Sequence, residues 1–418
     1  MKKKLLVFPC GSEVALEIYR SLRYSIHFDL VGASSVDDHG KFVFENYIGN
    51  MPFHSDPEFI ATLKGIVEKE KIDAIFPAMD AVAKTLKSNE DKLGCIVIGS
   101  NSETTGICSS KLATYERLDG KVLCPEWSDE LSEVQQYPVF IKPDEGYGSR
   151  NVFRAPSKKI AQNFIDENPD TPFVFCEYLP GEEYTIDCFS TFQGELLFCG
   201  ARTRIRVSNG ISVNTIETDK HRDAFQRVGK TINEILRPRG AWFFQMKENA
   251  NGEPTLLEVA ARLGGSSSYF RAKGVNFALL SAFDVFGIPV DVNTNNYRLE
   301  LDRALNKFYR DEMNKRVTAL IEHLQPVVGV QASFIGIKKM KTKWGSCNTT
   351  TSRVWLNLEL AKKPPECLEY ILVHELVHLL ERHHNERFKA HLNRLMPDWR
   401  ERRDLLNQSP LAFEGWSY

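Results

Sequence analysis

The rhythm of apolar and polar positions divides the chain into three stretches. In the first, residues 4–8 (KLLVF) read as a short apolar strand. Pro9-Cys10-Gly11-Ser12 then leads into the amphipathic helical pattern EVALEIYRSL. Residues 72–77 (IDAIFP) and 95–98 (CIVI) are further short apolar runs separated by helical patterns. Strand–helix alternation of this kind predicts a small parallel α/β domain ending near residue 105. The second stretch is richer in strands, expected at 137–142, 173–178, 183–188, 195–201, 241–247 and 255–259, with one helix at about 221–236. Asn249–Glu253 (NANGE) reads as the hairpin turn between the last two, so this part is α+β. In the third, a helical pattern covers 304–324 and strands are expected at 329–336 and 354–358. Pro364-Pro365 then precedes a helix over about 366–382. The seams predict domains 1–105, 106–303 and 304–418, a multidomain α/β and α+β chain.

Composition adds bounds. A chain of 418 residues with 42% hydrophobic and 26% charged residues is long enough for two or three globular domains. A formal net charge of −2 gives no global pull toward nucleic acid or an anionic membrane. No apolar run approaches the roughly 18 residues of a membrane helix, so no membrane partner is expected. From residue 306 onward, 18 Lys+Arg stand against 13 Asp+Glu. Solvated helix faces account for that bias better than an anionic partner does. The nine cysteines (10, 95, 108, 124, 176, 188, 199, 347 and 367) are scattered and form no C-x-x-C, which predicts reduced thiols and a cytoplasmic protein.

The third stretch carries the sharpest chemistry: His374-Glu375-Leu376-Val377-His378, followed by His383-His384. Positions i and i+4 share a helix face, so His374 and His378 can bind one cation with Glu375 beside them as a base. A catalytic zinc needs three protein ligands and an open position. His384 is the best placed third ligand; His383, His391, Glu381 and Glu386 compete.

The second stretch holds what phosphoryl transfer needs, namely cations, backbone donors and a carboxylate for magnesium. Lys111 and Lys142 are candidate phosphate-binding lysines. Gly146, Gly148 and Ser149 form a loop whose N–H groups can close over phosphates. Glu258 ends the apolar strand TLLEVA, with Arg262 just beyond it. A plain Glu258–Arg262 ion pair is the alternative.

Two resemblances follow. The run MKTKWGSCN, then VWLNLELAKKPPECLEYILVHELVHLLERHHNERF, then MPDWRERRDLLN resembles the YgjP-type metallohydrolases, zincin-like proteins related to SprT-type peptidases. That resemblance covers about 304–418. It implies Zn2+ on His374, His378 and His384, Glu375 as general base, and Trp344, Ser346 and Asn357 lining the site. The ordered motifs SSKLATY, YPVFIKPDEGYGS, FVFCEYLPGEEYTID and WFFQMKENANGEPTLLEVAARLGGS resemble the ATP-grasp superfamily, near the carbamoyl-phosphate-synthase-like carboxylate–amine ligases. That resemblance covers about 1–305. It implies ATP phosphates on Lys111 and Lys142, the adenine hinge at Glu177, Tyr178 and Leu179, and the ribose on Glu183. It also implies Mg2+ on Gln245 and Glu258. Arg262, with Arg202 or Arg204, would face the transferred phosphoryl group or the substrate carboxylate. Two positions depart from the pattern: Gln245 stands where an acidic residue is usual, and Glu258-Val259-Ala260 replaces Glu-x-Asn.

The implied partners are a small-molecule carboxylate and an amine for the ligase, and a peptide or a nucleotide phosphoanhydride for the hydrolase. An alternative makes the ATP-grasp part a nucleotide-binding regulator of the hydrolase. A third possibility is a fusion whose halves share no substrate.

Overall fold

The computed structural model describes residues 2–407 except 147, 149, 209, 291, 293, 294 and 341; side chains of Ile211 and residues 295–305 are also not described. The chain divides into two compact units, Met1–Glu300 and Leu301–Tyr418.

The first unit holds three sheets. Strands β1 (Lys3–Phe8), β2 (Phe28–Ala33), β3 (Asn46–Ile48), β4 (Ala74–Pro77) and β5 (Ile96–Val97) form a parallel sheet of order β3-β2-β1-β4-β5. Leu5, Leu6 and Val7 of β1 are fully buried, because a strand covered on both faces has no polar side to show. The helix Glu13–Leu22 follows at once; Ser12 caps it by accepting a hydrogen bond from Ala15 N. The alternation of patterns located β1, β4 and β5 but missed the short strands β2 and β3.

An antiparallel four-stranded sheet follows, with order β6-β9-β7-β8: β6 (Trp127–Ser128), β7 (Val139–Pro143), β8 (Phe153–Ala155) and β9 (Phe173–Glu177). The third sheet is antiparallel, of order β12-β11-β10-β13-β14: β10 (Glu183–Ser190), β11 (Leu196–Ser208), β12 (Ile211–Glu217), β13 (Gly240–Glu248) and β14 (Pro254–Ala260). The helix Arg222–Leu236 packs on it through Phe225, Ile232 and Leu236. One face of this sheet is apolar and buried. The other carries Glu183, Gln245 and Glu258, placed at alternating positions by the two-residue repeat of a strand.

The second unit is built on a long helix and a three-stranded sheet. The helix Asn295–Val328 extends beyond the expected 304–324 at both ends and contributes Met313, Val317, Leu324 and Val328 to the core. Strands β15 (Phe334–Lys338), β16 (Gly345–Asn348) and β17 (Arg353–Asn357) pair in the order β15-β17-β16. Residue pattern had put β15 at 329–336; the observed strand starts later, after a left-handed turn at Gly329 (φ 81°). The helix Pro365–Val377 lies against this sheet with Pro365 in its first turn. It stops at Val377 instead of running to 382, and His378 is its C-terminal cap. Among the described residues no helix is long and apolar enough to cross a membrane. All nine cysteines are free.

Candidate functional sites

In the second unit the early helix stop decides the site. The amide of Glu381 bonds back to Val377 O at 2.9 Å, so the chain folds over its own helix end and carries His384 back toward His374. His384 Nε2 and His374 Nε2 are 3.0 Å apart. One nitrogen from each of His374, His378 and His384 lies within 4.8 Å of the other two; among the described residues this is the only such group of three. Nitrogens about 2.0–2.1 Å from a tetrahedral zinc sit roughly 3.3 Å apart, so the cluster has the right scale for that ion. Burial holds His374 near a pKa of about 3, and His378 and His384 push it the same way. The ring is therefore neutral, as a metal ligand must be. Burial also lowers His378. Its Nδ1 faces Glu381 O at 3.3 Å, leaving Nε2 for a cation. His374 Nδ1 is buried with no hydrogen-bond partner. Phe388 packs on all three rings at 4.7–4.9 Å and fixes their orientation.

Glu375 lies against β16. A Cβ on Gly345 would fall 2.5 Å from Glu375 Oε1, so only glycine leaves the carboxylate its place. Burial raises Glu375 to about 8, opposed by Lys343. Gly345 is thus a candidate positioning residue for Glu375 that residue spacing does not single out; its signal is its place between Trp344 and Ser346. Trp344 and Ser346 are half-buried beside it. Asn357, expected to line the site, is instead a positioning residue. It is fully buried, donates to Met340 O (2.9 Å) and Lys343 O (2.7 Å), and accepts from Met340 N and Glu359 N (3.2 Å each). Its amide is spent on holding the 340–343 loop. Cys347 is half-buried, and burial pushes its thiol up to about 11.

In the first unit the expected residues come from distant parts of the chain. Lys111 opens the helix Lys111–Leu118, and its Nζ donates to Asp144 O at 3.0 Å. Asp144 also accepts from Ser110 Oγ and Leu112 N, which ties the glycine-rich loop to that helix end. Lys142, on β7, is buried and donates to Tyr115 Oη (2.6 Å) and Leu257 O (3.1 Å). Burial lowers the Lys111 pKa, Glu258 opposes that shift and Lys142 adds to it, so the three groups share one electrostatic neighbourhood. Gly148 has φ 68°, a backbone conformation that favours glycine; Gly146 is exposed. Ser149 lies outside the described residues. Glu177 ends β9, Tyr178 lies beneath the Arg154 guanidinium (4.2 Å), and Leu179 is buried.

Gln245 and Glu258 are directly opposite across β13 and β14. The Gln245 Oε1 expected on magnesium instead accepts from Arg204 Nη1 at 2.7 Å. The same Nη1 meets Glu183 at 2.5 Å, so the expected ribose carboxylate is engaged too. Arg262 does not pair with Glu258; it reaches Asp80 at 2.5 Å, a partner that no local pattern announces. Arg202 is fully buried, paired with Asp187 at 2.7 Å and bonded to Ser266 Oγ. Arg202 Nη1, Arg204 Nε and Arg262 Nε are buried donors without partners. Each unmet donor costs about 1–3 kcal/mol, and anionic oxygens would satisfy all three.

Comparison with known proteins agrees with both halves. A family model described as an ATP-grasp domain matches residues 108–266, and one described as a YgjP-like metallopeptidase domain matches 229–409. Over those stretches the chain is similar to an ATP-grasp domain and to a YgjP-like domain. The two matches overlap over 229–266, inside the ATP-grasp sheet, although the second compact unit starts at Leu301. A D-alanine–D-alanine ligase from Thermotoga sp. (strain RQ2) is 29% identical over 144 residues, which is 32% of this chain and 46% of that ligase. The chain thus spans about half the length of the curated relatives it matches. The ATP-grasp fold recurs in biotin carboxylase from Campylobacter jejuni (TM-score 0.57, 16% identity, 70% of this chain and 72% of that one). It recurs in N5-carboxyaminoimidazole synthetase from Staphylococcus aureus (TM-score 0.56, 17% identity, 70% and 79%). Pyruvate carboxylase from Rhizobium etli aligns with a TM-score of 0.58 at 16% identity, over 70% of this chain but only 29% of its own.

Proposed function

We propose that this chain is a two-part cytoplasmic enzyme: an ATP-dependent carboxylate–amine ligase over 106–303, preceded by its small α/β domain over 1–105, and a zinc-dependent hydrolase over 304–418. In the ligase half, a substrate carboxylate takes the γ-phosphoryl group of ATP and releases ADP. An amine then displaces phosphate from the acyl phosphate and forms an amide. Lys111 and Lys142 neutralise phosphate charge, the 144–149 loop covers it, and Glu177–Leu179 hold the base. Glu258 holds Mg2+, and the unpartnered donors of Arg262 and Arg202 orient the anionic substrate. The relatives named above are ligases and carboxylases, which supports this class.

In the hydrolase half, His374, His378 and His384 would hold zinc, which supplies Lewis acidity toward an oxygen of water or substrate. Glu375 takes a proton from the attacking water and passes it to the leaving group. Peptides are the first substrate class to test, and nucleotide phosphoanhydrides the second. The observation that carries this half is the convergence of three imidazole nitrogens within 4.8 Å.

One experiment addresses both halves: metal analysis of the purified chain, with ADP release followed against panels of carboxylates and amines. About one zinc per chain and substrate-dependent ADP release are expected. A zinc-free chain overturns the hydrolase. Glu258 facing Gln245, and so the lone carboxylate of that facing pair, favours a second reading, a nucleotide-binding regulator. Nucleotide binding without turnover on any pair would establish it in place of the ligase.

A further inference from the structure

The ATP-grasp resemblance implies Mg2+ on Gln245 and Glu258, in a pattern whose usual acidic residue and Glu-x-Asn would serve a two-metal site; the residues present do not match that pattern. Glu258 is the only carboxylate of its facing pair, because Gln245 stands opposite it. Ala260 occupies the next position on the same face of β14. Among the described residues no group of three or more carboxylate, cysteine or histidine ligands forms in this unit. One carboxylate with phosphate oxygens and waters suits one magnesium.

A cation of another kind is already there. Arg204 stems from β11 and reaches over β10 to Gln245 on β13, with its side chain only 4% exposed. Its Nη1 bridges Glu183 and Gln245 and its Nη2 donates to Gly210 O at 2.6 Å, so three acceptors fix the guanidinium plane. Its Nε is buried without a partner. The amide of Gln245 suits this arrangement: it accepts from the guanidinium and adds no charge of its own.

We propose that Arg204 supplies the positive charge that a second magnesium would otherwise bring, so that this chain binds ATP with a single divalent ion on Glu258. Gln245 is then the residue that positions Arg204 and not a metal ligand. A guanidinium is permanently charged and offers planar, directional donors to phosphate oxygens, and its free Nε–H is one such donor. This inference rests on the first unit being an ATP site.

The test is a manganese titration of the full, zinc-loaded chain, read by electron paramagnetic resonance, with and without the β,γ-imido analogue of ATP. One nucleotide-dependent Mn2+ per chain is expected. Two would overturn the inference while leaving the ATP site intact. No analogue binding at any manganese concentration would overturn the ATP site itself, and this inference with it. The double variant Arg204→Ala, Gln245→Glu is expected to gain a second nucleotide-dependent Mn2+, since it restores a facing carboxylate pair. A folded double variant that still binds one would also count against the inference. Arg204→Ala alone should weaken the analogue about 10- to 100-fold, the loss of a charge-assisted phosphate contact. Unchanged affinity there means that Arg204 does not touch the phosphates.

Discussion

The two sites solve opposite problems of assembly. The histidine cluster draws its ligand set from eleven consecutive residues, 374–384, and needs only one helix and the turn after it. The residues proposed for the ATP site, with Asp80 as the partner of Arg262, come from far apart: Asp80, Lys111, Lys142, Arg204, Gln245, Glu258 and Arg262 lie on two helix starts, four strands and the loop after β14, spread over more than 180 residues. A local site survives as a sequence pattern because the helix repeat sets its geometry. A dispersed site has no repeat, and its distances depend on sheet order and register.

That contrast can be broken most directly at the metal cluster. His378→Ala should take zinc from about one per chain to nearly none and abolish hydrolysis, checked by metal analysis. Full zinc content in that variant would show that the ligand set is wrong. Gly345→Ala sharpens the point, because its Cβ would displace Glu375 while leaving the three histidines alone. Hydrolysis should fall at least about 100-fold with zinc retained, in line with the loss of a general base. Loss of zinc in step with activity would mean that Gly345 supports the ligands and not the base.

At the dispersed site, Lys142→Ala should weaken nucleotide binding about 10- to 100-fold by calorimetry, the range for a charged phosphate contact. Equal affinity would remove that lysine from the site. Asn357→Ala should leave zinc bound but lower unfolding stability by about 2–4 kcal/mol in a denaturant titration, since several buried backbone partners lose their hydrogen bonds. A stability change under about 0.5 kcal/mol, the range of ordinary surface substitutions, would return Asn357 to the substrate-lining role.

The smallest expected effect concerns pH and the ATP-grasp unit. Burial alone would raise Glu248, but hydrogen bonds from Lys220, Tyr184 and His221 outweigh it and hold the carboxyl down at about 2. A carboxylate with a depressed folded value stabilises fully above its unfolded value, here 4.5, and loses that contribution as pH falls toward 2. Wild-type melting temperature should therefore drop more steeply than that of Glu248→Gln between pH 4.5 and 2. Parallel curves would mean that Glu248 contributes nothing to acid stability.

Much of the architecture was readable in advance. Strands β1, β4, β7, β9, β10, β13 and β14 and the helices at 13–22 and 222–236 fall where alternation and amphipathic spacing put them. Strands such as β2 (FDLVGA), β3 (NYI) and β16 (GSCN) did not announce themselves, because their residues form neither an unbroken apolar run like that of β1 nor a clean alternation. The three histidines, Lys111, Lys142 and Glu258 could be singled out as candidates from residue type and spacing, whereas Gln245 entered only through the ATP-grasp resemblance. The partners of the arginines could not. Nothing near Arg262 in the chain points to Asp80, and nothing near Arg204 points to Gln245.

Residue order alone specified what each segment can do: which runs are helical, which imidazoles share a face, where a glycine loop can turn. The folded chain settled what each polar group does with that capacity. Asn357 was committed to backbone, Gln245 to a guanidinium, and His384 to the helix end it returns to. The reason is physical. Local conformation follows from steric and hydrogen-bonding rules within a few residues, whereas the pairing of a buried charge is set by whichever distant group the sheet register delivers to it.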